Sequence, residues 1–486
     1  MALQLTLVLG LSLAVGIVAF LQRNQPETYA DPVEHFKYGS IGADSQGDAN
    51  DPQGGGVPYA IWRVLPSVFY DKLPKRPGVG YERFGFVYET PTSPRPIGTS
   101  IRQNPIPLLG LNCATCHVGT IRDTPNGPSR PILGMPSHQL DVQGYLRFLL
   151  EVGQDERFNP DTLLAAIHAD DPSFSFGEDL LFRYVVIPRT KQALISRAIA
   201  YSWMDTRPHF LPGRVDTFNP YKQRLETRLG PASGFNMATD ATVGTVALPS
   251  LWNQRPREGM QLHWDGNNDS VDERNKSAAL GGGATEASLD LGSLARVHDF
   301  IATLQPPPYP RDRINADLAR QGEQVWYAEC ASCHAFDGKY VGQVTPINEI
   351  GTDRSRLDSF TPLLASRMSE FGKGRSWQFS HFRKTDGYAN MPLDGVWLRA
   401  PYLHNGSVPT LRDLLNTPEQ RPSAFYTGYD LYDYENVGLV TSGAEAERFG
   451  QLYETSVQGN GNYGHLYGTN LSAAEKDALL EYLKTL

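Results

Sequence analysis

Apolar positions along this chain keep helical spacing in a few stretches and lose it in many others. Helical patterns fall near residues 139–152, 177–200, 286–304 and 315–329. Near the C-terminus, Ser472 and Glu475 form a capping box ahead of Leu479, Leu480 and Leu483, which share one helix face. Gly322, Trp326 and Tyr327 lie in the 315–329 pattern, and small and aromatic residues there allow that helix to cross closely over the C-terminal one. Residues 219–283 show no sustained period and read as ordered loop. Gln305-Pro-Pro-Pro-Tyr-Pro310 excludes helix and reads as a linker. Residues 2–21 carry no charge, and about 20 helical residues span the ~30 Å hydrocarbon core of a bilayer. That stretch is a membrane anchor or a cleaved signal. The lack of a small-x-small site close behind it favours the anchor.

Composition narrows the classes. The chain has 486 residues, enough for two or three separate cores, and a net charge of −9 without any block of like charge. Nucleic-acid binding is therefore not expected, while a cationic protein partner is compatible. With 46 Gly and 36 Pro, long ordered loops should join relatively few helices.

All 4 cysteines lie in two copies of one signature, Cys113-Ala-Thr-Cys116-His117 and Cys330-Ala-Ser-Cys333-His334. With 11 His in the chain, His after a given CxxC is roughly a one-in-forty coincidence. Two coincidences with no cysteine left over are not credible. The pattern is the attachment site of haem c: two thiols reach the porphyrin vinyl groups, and the adjacent imidazole becomes an axial iron ligand. A four-Cys zinc site lacks the usual spacing, and a thioredoxin-like CxxC gives His no role. Two covalently bound haem c groups are therefore expected. The fold class is mainly α: two cytochrome c-like haem domains with long ordered loops, the N-terminal one enlarged by insertions. The segments are 1–24 (anchor or signal), 30–304 (first haem domain), 305–310 (linker) and 311–486 (second haem domain). No internal repeat stands out beyond the two signatures. Haem attachment of this kind takes place outside the cytoplasm, which places the body in the periplasm, tethered to the inner membrane by the N-terminal helix.

His117 and His334 each supply one axial ligand, and the sixth ligand decides between electron transfer and an open, reactive iron. For the second site the leading candidate is His465, in a Gly-rich loop before the capping box, with His404 and Met391 as alternatives. For the first site the candidates are His138 and His263. Trp264 is placed to gate or relay electrons, and Arg274 to pair with a propionate. If neither His binds iron, the first site is open and catalysis belongs there.

Several segments resemble the bacterial di-haem cytochrome c peroxidase superfamily, and most closely the branch that holds the rubber oxygenases. They are Tyr38-Gly-Ser-Ile-Gly-Ala43, Gly56-Val-Pro-Tyr-Ala-Ile-Trp62, Leu111-Asn-Cys-Ala-Thr-Cys-His117, His263-Trp-Asp-Gly-Asn267, Glu273-Arg-Asn275 and Ala400-Pro-Tyr-Leu-His-Asn-Gly-Ser-Val-Pro-Thr-Leu411. The resemblance implies one reactive haem and one that stores or relays an electron. In that branch the N-terminal haem binds oxygen and the C-terminal haem has two His ligands, a pattern that suits His334 with His465. His138 also leaves room for a peroxidase-like distal His that swings away. The expectation is an oxidoreductase in which electrons from a small redox protein or membrane donor enter at the C-terminal haem, and peroxide or dioxygen is activated at the N-terminal one. The alternatives are a non-catalytic electron-transfer cytochrome and an oxygenase cleaving a hydrophobic substrate.

Overall fold

A computed structural model describes residues 25–47, 54–103 and 106–486. Helix outweighs strand, 42% against 11%, so the chain is mixed rather than mainly helical as the spacing suggested. The strands are short and belong to small antiparallel units. The largest joins residues 25–26, 99–103, 108–111 and 57–58, with Thr99 opposite Leu111 and Ile101 opposite Leu109. A two-stranded unit, Val118–Ile121 with Arg130–Leu133, follows the first signature directly.

The expected helices form, with ends set by caps. Val142–Gln154 starts at Asp141, whose carboxylate accepts from the Gly144 N–H, and Leu291–Thr303 starts at Asp290. The 176–200 stretch is helical throughout, but the turn over Phe182–Val186 widens to π. Pro188 has no N–H for the carbonyl four residues back, and a π turn accommodates the gap. Residues 219–283 contain two helices, Asn219–Leu229 and Val271–Gly281, where loop was expected. The first is polar overall and is held by Tyr221 and Leu225 packing on Phe218, Phe360 and Leu364. Tertiary burial, not amphipathic period, makes it helical.

Both halves of the Ser472–Glu475 capping box are formed, and Ala473–Leu483 packs on Ala316–Glu329 in the most extensive helix–helix contact among the described residues. Gly322 lies at the crossing: a Cβ there would sit 1.9 Å from the carbonyl oxygen of Ala478. The Pro-rich segment is not a free spacer. Tyr309 is buried, its hydroxyl donates to the Tyr434 carbonyl, and the Trp397 indole donates to Pro307 O. The core likewise interlocks the two halves, since Ile121, Ile132, Met135 and Trp252 pack in one cluster with Trp326, Trp397 and Leu479. No helix among the described residues is long and apolar enough to cross a membrane. The expected anchor at 1–24 lies outside the described residues.

Candidate haem sites

Each signature forms a short helix, Cys113–His117 and Ala331–His334. Asn112 fixes the first: its side-chain oxygen accepts from Ala114 N–H, and its amide donates to Gly39 O. The four cysteines form no disulfide. Burial pushes the thiols up, Cys113 to about 11 and Cys116 and Cys330 to about 12, so they are neutral rather than reactive thiolates.

Both signature histidines are oriented the same way. Nδ1 of His117 lies 2.8 Å from Pro249 O, and Nδ1 of His334 lies 2.8 Å from Met391 O. A carbonyl can only accept, so Nδ1 carries the proton and Nε2 keeps a free lone pair for a metal. Burial keeps both imidazoles neutral, lowering His117 to about 4 and His334 below its usual value.

His465 faces His334 with ring centres 6.3 Å apart. Two metal–imidazole bonds of about 2 Å, with about 1.1 Å from each nitrogen to its ring centre, call for about 6.2 Å. The gap between the rings therefore fits one iron, and the residues of the second signature fit a haem c. His465 has φ 48°, and its N–H donates to Ile350 O. Arg421 clamps the loop around it by donating to the carbonyls of Asn462, Gly464 and His465. Burial and the neighbouring His334 lower His465 to about 3. The alternatives sit elsewhere. His404 stacks on Tyr388 at 4.0 Å and shares a 3.0 Å hydrogen bond with its hydroxyl, while Met391 contributes its backbone carbonyl.

Around the first signature no such pair is recorded among the described residues. His138 is buried, with Nε2 2.8 Å from Thr120 O, so that nitrogen is engaged by the backbone. His263 is different. The buried Arg356–Asp265 ion pair (2.8 Å) fixes Asp265, whose carboxylate accepts from the Asn267 amide at 3.0 Å. That orients the Asn267 oxygen toward His263 Nδ1, 2.6 Å away. Nδ1 must then be the protonated nitrogen, which leaves Nε2 as a base. Burial, then the charge of Arg356, brings His263 down to about 4. The charge of Arg274 acts on Cys113, His117 and His263 alike. Its guanidinium donates to Gln254 and Asn275 and has no carboxylate at ion-pair distance among the described residues, Glu258 acting on it only from further away, which leaves room for a propionate. The Trp264 indole donates to Ala247 O at 2.9 Å, and Ala247 N–H donates to His404 O at 2.9 Å.

Sequence reasoning missed a duplication here. Leu262 and Asn268 bridge one loop, and Tyr402 and Val408 bridge another. Both loops have a left-handed residue second, His263 (φ 62°) and Leu403 (φ 66°), and a left-handed glycine at Gly266 and Gly406. Both run into a helix capped at the same offset, by Ser270 and Thr410. Trp264 and His404 thus occupy equivalent positions, and both meet Ala247. The Asn267–Asp265–Arg356 chain was also missed, and the short Asp-Gly-Asn turn was its only trace in the sequence.

Residues 387–426 match the family described as RoxA-like, cytochrome c-like. The stretch includes Met391, which holds His334, and the second of the duplicated loops. A cytochrome c-like segment implies haem c and a haem oxidoreductase. The chain is 40% identical to uncharacterized protein y4iJ of Sinorhizobium fredii, over 84% of this chain and 82% of that protein. It is 31% identical to uncharacterized protein y4iM of the same organism, over 54% of this chain and 72% of that protein.

Proposed function

The chain belongs to one family with these two rhizobial proteins, and from that premise we propose that it is a periplasmic di-haem c-type oxidoreductase. In this reading Cys113, Cys116 and His117 hold one haem, and Cys330, Cys333, His334 and His465 hold the other. Each lies in its own cytochrome c-like domain, and the N-terminal segment tethers the whole to the inner membrane.

The observation that carries the reading is the asymmetry between the two sites. The second pairs two imidazoles at the spacing of a six-coordinate iron. The first offers one imidazole, with a second, His263, poised as a base. When bound, the first haem supplies redox chemistry toward peroxide or dioxygen. His263 Nε2, left unprotonated by the Nδ1 hydrogen bond to Asn267, would be the base that takes up and returns a proton there. Phe382, stacked on the His263 ring at 6.1 Å, and its neighbours Phe360 and Phe379 exclude water from that side. Arg274 would hold a propionate, and His138 braces the Thr120 strand. Electrons enter beside His334, where Phe336, Tyr340, Leu466 and Tyr467 form an exposed apolar surface suited to a small redox protein. Trp264, hydrogen-bonded to Ala247 between the duplicated loops, lies on the route to the first site.

A second reading, an oxygenase acting on an apolar organic substrate, is favoured by the RoxA-like match and by that phenylalanine wall. Low-temperature electron paramagnetic resonance of the oxidised and half-reduced protein tests the proposal. A high-spin ferric signal that changes with peroxide supports it. Two low-spin signals indifferent to peroxide would leave an electron carrier. Peroxide consumption separates the peroxidase from the oxygenase, which would instead take up dioxygen only with an apolar substrate present.

A further inference from the structure

Arg214 is a buried cation with no carboxylate at ion-pair distance among the described residues, and the charge of Asp353 reaches it only from further away. It lies on the Arg214–Asp216 strand opposite Ala247 and is 3% exposed. Its one hydrogen bond runs from Nη2 to Gly459 O at 3.3 Å, and the guanidinium sits over the Tyr453 ring. Nε and Nη1 have no partner. Two other buried arginines have a carboxylate at hand, Arg356 in Asp265 and Arg257 in Asp394. Uncompensated burial of a guanidinium is strongly unfavourable.

Segments joined to Arg214 carry other buried polar atoms without partners, the Asn405 amide oxygen among them. The hydroxyls of Thr352 and Ser407 are buried and unpartnered. The segments bearing them are joined to Arg214. Gly459 O accepts from both Arg214 and the Asn405 amide, and Gly461 N–H donates to Asp353. The Gly459–Gly464 loop leads straight to His465, and Gly464 is packed against the Gly351–Thr352 peptide. Unpartnered polar groups thus lie on segments that join the loop leading to His465.

We propose that Arg214 is the counter-charge of a propionate on the haem held between His334 and His465, with Thr352 and Ser407 completing the carboxylate's hydrogen bonds. The assignment rests on the di-haem reading above. A cation beside a haem edge favours the reduced iron, so its removal lowers that haem's reduction potential. Its test is spectroelectrochemistry of the whole protein, following the two haems by their separate spin states. In Arg214→Gln the low-spin haem should become harder to reduce by at least tenfold in equilibrium constant, 59 mV for one electron, with the other haem unmoved. Arg214→Lys should shift it less, in the same direction. If Arg214→Gln does not accumulate, the lysine variant carries the test. A folded variant whose low-spin potential equals that of the wild type, or in which the other haem shifts instead, overturns the assignment. Wild-type protein lacking a low-spin centre with two His ligands would refute the di-haem reading itself, not the role of Arg214.

Discussion

His263 should leave a measurable mark on the proton balance of unfolding. Its native imidazole is held near 4 by burial, against 6.5 in the unfolded chain. Between those values the unfolded state binds the extra proton, so stability rises with pH across this window and is lost as pH falls through it. Integrated from pH 7 down to below 4, the effect is about 3 kcal/mol from this residue. At pH 5 the native ring is about one-tenth protonated and the unfolded ring nearly fully so, which means an uptake of about 0.9 proton per chain. The comparison is wild type against His263→Gln, whose amide can still meet Asn267. Calorimetric unfolding at pH 5 in two buffers of different ionisation enthalpy counts the protons and needs no two-state assumption. Burial also depresses His35, His138 and His404, but their contributions are common to both proteins and cancel. The variant should take up about 0.9 proton fewer. Equal uptake would mean that His263 is not buried as a neutral base, and the proton-transfer role would fall with it.

The other predictions concern the partners of these groups. His465→Ala should abolish the low-spin signal of the second haem, and added imidazole should restore it; an unchanged spectrum rules out His465 as the ligand. Arg356→Met strands the carboxylate of Asp265, which is 1% exposed, and should lower stability by about 3–5 kcal/mol, read from the urea midpoint. The Arg356→Met/Asp265→Asn double variant should recover part of that loss. Gly322→Ala forces a methyl group against Ala478 O and should destabilise by about 1–3 kcal/mol in thermal unfolding.

What the sequence made legible was chemistry tied to fixed spacing or local caps. The CxxCH segments, the Ser472 capping box and the Gly322 crossing follow from neighbouring residues, and their geometry is local. The helix at Asn219–Leu229 was hidden because Lys222 and Arg224 are buried in it along with Tyr221 and Leu225, which erases the polar–apolar period. His138 looked like a ligand by its closeness in sequence to His117. Its Nε2 meets the Thr120 carbonyl, because the 118–121 and 130–133 strands pair and carry residues 134–138 back beside the first of them, while Nδ1 has no partner. The duplicated loops escaped notice since only the glycine at 266 and 406 is identical between them; what repeats is backbone conformation, which a single sequence shows poorly.

That duplication bears on the asymmetry proposed for the two sites. A non-glycine residue in the left-handed region costs on the order of 1 kcal/mol, and both loops bear that strain at the same position. In the first loop the strained residue is His263, and the turn that follows supplies Asn267 to fix its tautomer. In the second loop it is Leu403, which packs into the core beside Tyr402 and Val408. The imidazole there has moved one residue on, to His404, where Tyr388 engages its Nε2. The Tyr388 hydroxyl donates to Asp353 O and accepts from His404 Nε2, and the imidazole opposite His334 comes from another segment, the Arg421-clamped turn at His465. One backbone frame used twice thus carries its imidazole at positions one residue apart, on Asn267 in the first loop and on Tyr388 in the second.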